Sequence, residues 1–187
     1  MKISAPILAG LAICFTALSH AVPPKGWSSA PTEEYQIGTD RSDPAKPAAY
    51  IESVVPAPKQ FIALNQTFSA EDYRGKRVRL KGAIKTKDVA KWSGFWLRAD
   101  NAKSKIVAFD NMQQRGISGT ADWTIGEIVL DVPPDAEKLF FGLILDGAGK
   151  TWMRGLTFEE VDNSVPVTAP KISDLPKAPV NLDFREE

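Results

Sequence analysis

Polar and apolar residues alternate with a period of two through most of the middle of the chain. In 77–85 ("RVRLKGAIK"), Val78, Leu80 and Ile84 point one way, and Arg79, Lys81 and Lys85 point the other. In 93–100, Phe95, Leu97 and Ala99 share one face while Trp96, Arg98 and Asp100 share its opposite. Segment 138–145 is apolar on both faces, with Leu139, Phe141, Leu143 and Leu145 opposite Phe140 and Ile144. That suits a central strand whose outer side is covered by a loop or by the tail. Turn residues separate these runs. The pattern predicts strands at 35–40, 48–54, 61–68, 77–85, 93–100, 105–111, 124–132, 138–145 and 150–161. Ser69 as an N-cap, with Glu71 and Asp72 after it, predicts one short helical turn within 69–75. No long stretch has a 3.6-residue period. Short strands with frequent turns point to an all-β chain, a two-sheet antiparallel sandwich.

The ends read differently. Lys2 precedes an apolar run from Ile3 to Leu18 and then Ser19-His20-Ala21, which has the form of a signal peptide (1–21) cleaved after Ala21. A transmembrane anchor competes, but the run is short against the ~20 apolar residues a span needs. A lipoprotein also competes through Leu11-Ala12-Ile13-Cys14, and bulky Ile13 is wrong for it. A leader (22–34) then leads into a sandwich domain (35–161), and a Pro-rich tail (162–187) reads as extended or disordered. The expected location is periplasmic or secreted, with no membrane span after cleavage.

Cleavage changes the chemical inventory. Cys14 and His20, the only residues of their types, both leave with the signal, and about 166 residues remain, enough for one domain with tails. Such a chain has no disulfide, no Ser-His-Asp or Cys-His system, and no thiolate or imidazole for zinc or copper. Basic and acidic residues number 23 each in the full chain. Losing Lys2 leaves a small negative charge, which argues against a nucleic-acid partner.

The stretches "SAEDYRGKRVRLKGAIKT", "WSGFWLRAD" and "FDNMQQRGISGTADWTIGEIVLDV…GAGKTWMRGLTFEEV" resemble a family of bacterial galactose-binding-like jelly-roll domains. In that family a strand ending Phe-Asp-Asn-Met leads through a Gly-rich loop to Trp and an Ile-Val-Leu-Asp-Val strand. A Gly-x-Gly-Lys turn then precedes the last strand. The resemblance covers roughly 35–161 and implies a jelly-roll sandwich like that of carbohydrate-binding modules. Such domains also occur joined to helix-turn-helix regulators, although nothing here resembles a DNA-reading helix pair. Two departures stand out. Arg154 and Gly155 replace an acidic pair in the last strand, and Gln114 and Gly116 stand where Asp and Pro are common.

Candidate ligand-binding residues are Trp96, Arg98, Asp110, Asn111, Gln113 and Arg115. Trp96 sits beside Arg98 on the non-core face, where an exposed indole could stack on a sugar. Residues 110–115 carry donors and acceptors suited to hydroxyls, with the Arg115 fork suited to a carboxylate. The plainer reading is that Asp110 and Asn111 cap backbone amides of a turn while Arg115 pairs with Asp110 or Asp122. Trp123 and Trp152, at strand starts, read as core or core edge. No cofactor is expected. The inventory admits a structural calcium ion if Asp40 meets Glu159 or Glu160 where the first and last strands pair. No carboxylate pair stands out for acid–base work, so no catalytic residue is assigned. The expected function is an exported, non-enzymatic binding module for a glycan or envelope component. The alternative is a structural or accessory envelope protein that binds a protein partner through the sandwich or the tail.

Overall fold

A computed structural model describes residues 22–168 together with Leu182 and Arg185. Residues 1–21, expected to be a signal peptide, and most of the Pro-rich tail lie outside the described residues. The strands, in chain order, are β1 (Ser28–Ser29), β2 (Tyr35–Asp40), β3 (Ala48–Ser53), β4 (Ile62–Ser69), β5 (Arg77–Asn101), β6 (Ile106–Asp110), β7 (Ile117–Asp131), β8 (Ala136–Asp146) and β9 (Lys150–Val161). All pairings are antiparallel.

The expected break between 77–85 and 93–100 is not there. Those segments form one 25-residue strand, β5, whose two halves serve different layers. Residues 77–87 pair with β7 and β9, and residues 92–101 pair with β8. One layer therefore runs β7-β5-β9-β3-β2 and the other β6-β5-β8-β4-β1, a curled jelly roll. The crossing between them is made by slips of register against β7, at Ile84/Thr86, Thr86/Val89 and Val89/Ser93. β-bulges bend a strand in this way without ending it. For the same reason β7 begins at Ile117, earlier than the expected 124, because its first residues follow the bend.

The two alternations read from sequence meet in the core. Val78, Leu80 and Ile84 from one half of β5, and Phe95, Leu97 and Ala99 from the other, are fully buried. Phe95 reaches across the layers to Gly82 and Gly126. A Cβ at Gly126 would lie 2.8 Å from the Phe95 ring, so only glycine leaves room for it. β8 is central in its layer, as its two-sided apolar pattern implied. Its outer side is covered by its own neighbours, with the Arg98 guanidinium 4.4 Å above the Phe140 ring. The described start of the tail lies elsewhere: Thr168 runs against β7, accepting from Val129 N–H at 2.8 Å and donating its own N–H to Val129 at 3.0 Å. That contact explains why outward-facing Val129 is fully buried.

The leader contributes β1, and Trp27 packs edge-on to Phe141 at 5.5 Å. The short helical turn forms as a 3-10 turn at Glu71–Tyr73 with Ala70, not Ser69, at the N-cap position. The Ser69 hydroxyl still accepts from Glu71 N–H at 3.2 Å.

Candidate functional site

Four of the six residues singled out from sequence line one pocket, and two do not. Trp96, Arg98, Asn111 and Gln113 face a pocket of about 300 Å³ with Trp92, Phe61, Phe109 and Ile144 on the outer side of the β8 layer. The expectation of an exposed Trp96 fails, since the residue is 9% exposed. Its β8 partner is Gly142, and Arg98 closes over it at 5.8 Å. A ring sunk among its neighbours offers little face to a sugar. The exposed aromatics of this pocket are instead Phe61 and Phe109.

Asp110 and Arg115 pair with each other, the contact that the plainer reading of the loop expected. Asp110 is buried at the end of β6, and its carboxylate accepts from Met112 N–H at 3.0 Å, Arg115 Nη2 at 2.6 Å and Thr168 Oγ1 at 2.6 Å. Burial alone would raise its pKa, but these donors outweigh burial and hold the carboxyl below the usual carboxylate range. Asn111 Oδ1 caps Gln113 N–H at 3.0 Å. The loop turns through Met112, a non-glycine residue at φ 56° whose side chain is buried in the core. Asp110 and the Met112 anchor together hold that left-handed conformation.

A larger concave surface lies on the other layer, at residues the sequence reading assigned to the core edge or to solvent. Cross-strand register sets Gly38, Tyr50, Trp152 and Lys85 side by side across β2, β3, β9 and β5, all pointing outward. Gly38 leaves room for the Tyr50 ring, since a Cβ there would lie 2.9 Å from it. Lys150 Nζ sits 4.3 Å from the Tyr50 ring centre and 4.9 Å from that of Trp152, and it pairs with Glu52 at 2.7 Å. Arg154 stacks on Trp123 at 3.8 Å. Trp123 and Trp152 are thus half-buried rings on an outer face, not core. The signal was present in parity: Trp152 and Arg154 alternate with buried Thr151 and Met153.

Two adjoining hollows on this face form one cleft. The first, about 710 Å³, is lined by Asp40, Lys85, Lys87, Asp88, Trp123 and Trp152 among others; the second, about 820 Å³, by Arg79, Lys81, Ile125 and Glu159 among others. Lys46 and Arg154 line both and mark the junction. Gly155, beside Arg154, is at φ 61° next to the register slip between Lys81 and Ala83.

The strand pairing expected to bring Asp40 to Glu159 or Glu160 is not formed. β3 lies between β2 and β9, so the first long strand and the last do not pair. Asp40 accepts from Trp152 Nε1 at 2.9 Å and from Ser42 N–H at 2.9 Å. Those bonds, Ser42 first, draw its carboxyl below the ordinary range. Glu159 pairs with Arg79 at 2.6 Å and Glu160 with Lys76 at 2.8 Å. Among the described residues no group of three or more His, Cys, Asp or Glu could hold a metal ion. No helix among them is long and apolar enough to cross a membrane.

No family model matches the chain. It is 41% identical over 169 residues to the uncharacterised HTH-type transcriptional regulator YbfP of Bacillus subtilis (strain 168). That match takes in 87% of this chain but 57% of the relative, so the chain spans little more than half the relative's length. Among solved structures, the CBM22-1 xylan-binding domain of Paenibacillus barcinonensis Xyn10C superposes with a TM-score of 0.53 at 12% identity, covering 76% of this chain and 92% of that one. The C-terminal family 22 carbohydrate-binding module of Clostridium thermocellum Xyn10B gives 0.53 at 11%, covering 76% and 90%. The enzymatically active domain of tailspike protein 4 from bacteriophage CBA120 gives 0.56 at 16%, covering 73% of this chain and 20% of that one. What these structures share with this chain is the antiparallel jelly-roll sandwich of carbohydrate-binding modules.

Proposed function

We propose that this chain is a non-catalytic glycan-binding module and that the glycan lies in the cleft across β9, β5 and β7. The observation that carries this is the cleft itself, an open trough on a sheet's outer face in which Trp123 and Trp152 stand among hydrogen-bonding side chains. Rigid strands supply such a platform at low entropic cost, and apolar ring edges beside polar groups suit the mixed surface of a sugar. The xylan-binding and family 22 modules have the same sandwich, which supports the reading. The carboxylates lining the cleft are tied to neighbours: Asp40 to Trp152, Asp43 to Ala45 N–H, Asp88 to Thr120 and Glu159 to Arg79. Acids held in that way are poorly placed for proton transfer, which supports a binding role over hydrolysis. An exported location, with Asn111, Gln113 and Arg98 as a secondary contact, belongs to the same proposal.

The test is a polysaccharide and oligosaccharide panel, read by titration calorimetry on the chain and two variants. Trp152→Ala is expected to weaken the best ligand at least tenfold, while Phe109→Ala in the smaller pocket, a secondary contact, weakens it at most about twofold. The reverse pattern would move the site to the pocket with Trp96 and Arg98. A panel without any ligand would end the proposal.

A second reading rests on the 41% match to a transcriptional regulator. There the same sandwich would serve as the ligand-sensing part of a longer protein. The glycan proposal is common to both readings, and they differ in whether a DNA-binding segment accompanies the module.

A further inference from the structure

Resting on the reading that the cleft holds a glycan, we propose that its ligand is an acidic polysaccharide, whose anionic groups are read by unpaired cations along the trough. Over the whole chain basic and acidic residues balance at 23 each, so a cationic trough is a local arrangement and not a consequence of composition. Its cations are Lys46, Arg79, Lys81, Lys85, Lys87 and Arg154. Arg79 is neutralised by Glu159, and Lys85 reaches Asp122 only at 3.8 Å. Among the described residues no carboxylate lies within 4.0 Å of Lys46, Lys81, Lys87 or Arg154.

The acids of the same surface are differently placed. Asp40 is turned to the Trp152 indole, Asp88 to Thr120 and Asp43 to its own turn. Asp43 and Asp88 remain exposed, but the six cations that line the trough outnumber its four carboxylates, Asp40, Asp43, Asp88 and Glu159. Arg154 occupies the junction of the two hollows. Stacking on Trp123 holds its guanidinium flat and leaves N–H edges for a bidentate contact with a carboxylate or an ester anion. Along β5 the outward residues Arg79, Lys81, Ala83 and Lys85 recur every second position, spanning about 20 Å at ~3.3 Å per residue. That length suits a polymer bearing charge at intervals better than a single small anion.

The rings argue against single-stranded nucleic acid, the other polyanion such a surface could attract. Base stacking needs open aromatic faces. Here Arg154 covers one face of Trp123, and Lys150 lies over Trp152.

The experiment titrates the chain with polygalacturonate, dextran sulfate, neutral xylan and oligothymidylate at low and physiological salt. Polygalacturonate is expected to bind at least tenfold more tightly than xylan, and to weaken with salt as screening shortens the reach of surface charges. Lys81→Gln/Arg154→Gln should remove about tenfold or more. Lys46→Gln/Lys87→Gln, at exposed lysines away from the Trp123 stack, should weaken binding in the same direction without any question of folding. Tighter binding of dextran sulfate supports the proposal with an ester as the anion. Equal binding of xylan and polygalacturonate overturns it and leaves the glycan module standing. Oligothymidylate binding as tightly as polygalacturonate also overturns it. No polysaccharide binding at all ends both readings.

Discussion

Asp110 shows what a single side chain does here. It ties the end of β6 and the Arg115 turn, five residues on, to Thr168 far along the chain beyond the last strand. Because its folded pKa is depressed, its contribution is complete above the ordinary carboxylate value of about 3.9 and is lost as pH falls through the lower folded value. Asp110→Ala, which leaves Met112 N–H and the Thr168 hydroxyl short of an acceptor, is expected to cost about 2 kcal/mol at pH 7. The same variant should show a flatter loss of stability below pH ~4 than the parent. Urea denaturation at several pH values measures both. A midpoint unchanged at neutral pH would show that the carboxylate is not holding the loop. At this scale the sequence carried the chemistry of the loop but left two readings of it. Asx residues beside glycine suggest a turn, whereas only the arrival of Thr168 shows that Asp110 is consumed by it.

Among the elements, β5 decides the architecture. It belongs to both layers, and the buried hydroxyls of Ser93 and Thr151 stand where it crosses. Ser93 Oγ lies 2.7 Å from Ile144 O and 2.8 Å from Thr151 Oγ1, satisfying polar groups that the bend would otherwise leave buried and unpaired. The β4–β8 pair is equally specific. A Cβ on Gly142 would lie 2.0 Å from Leu64 O, so Gly142→Ala must push two strands apart. The expected cost is roughly 3 kcal/mol, read as a lower urea midpoint. A variant as stable as the parent would mean that β4 does not pair as described. Alternation alone placed the inward and outward residues of both halves of β5. It could not show that 86–92 continues the strand, because bulged residues break the period that identifies a strand.

Across the whole molecule, the described part of the tail acts as a strap on the cleft-bearing layer. Arg77 Nη1 donates to Asn163 O at 3.1 Å and to Val165 O at 2.7 Å, and Thr168 then reaches Val129 and Asp110. Ending the chain after Val161 would expose Val129 and leave Asp110 and Arg77 short of partners. The expected loss is about 2 kcal/mol, or roughly 4–8 °C in Tm for a chain of this size, measured by calorimetry. An unchanged Tm would show that the strap adds nothing. The cleft belongs to this scale too, since its lining comes from segments between Asp40 and Glu159 that only the layered fold brings together.

The amino-acid sequence by itself determined the all-β class, the inward and outward faces of most strands, and an inventory whose only Cys and His lie in the first 21 residues. These follow from local rules, a period of two and a count of side chains. The tertiary structure decided that Trp96 is buried, that Asp110 pairs with Arg115 and Thr168, and that Trp123, Trp152 and Arg154 share one open surface. Parity assigns a residue to a face of its own strand, but which neighbouring strands extend that face is set by pairing between distant segments. Concavity, ring burial and the balance of charge in a cleft are properties of several strands at once.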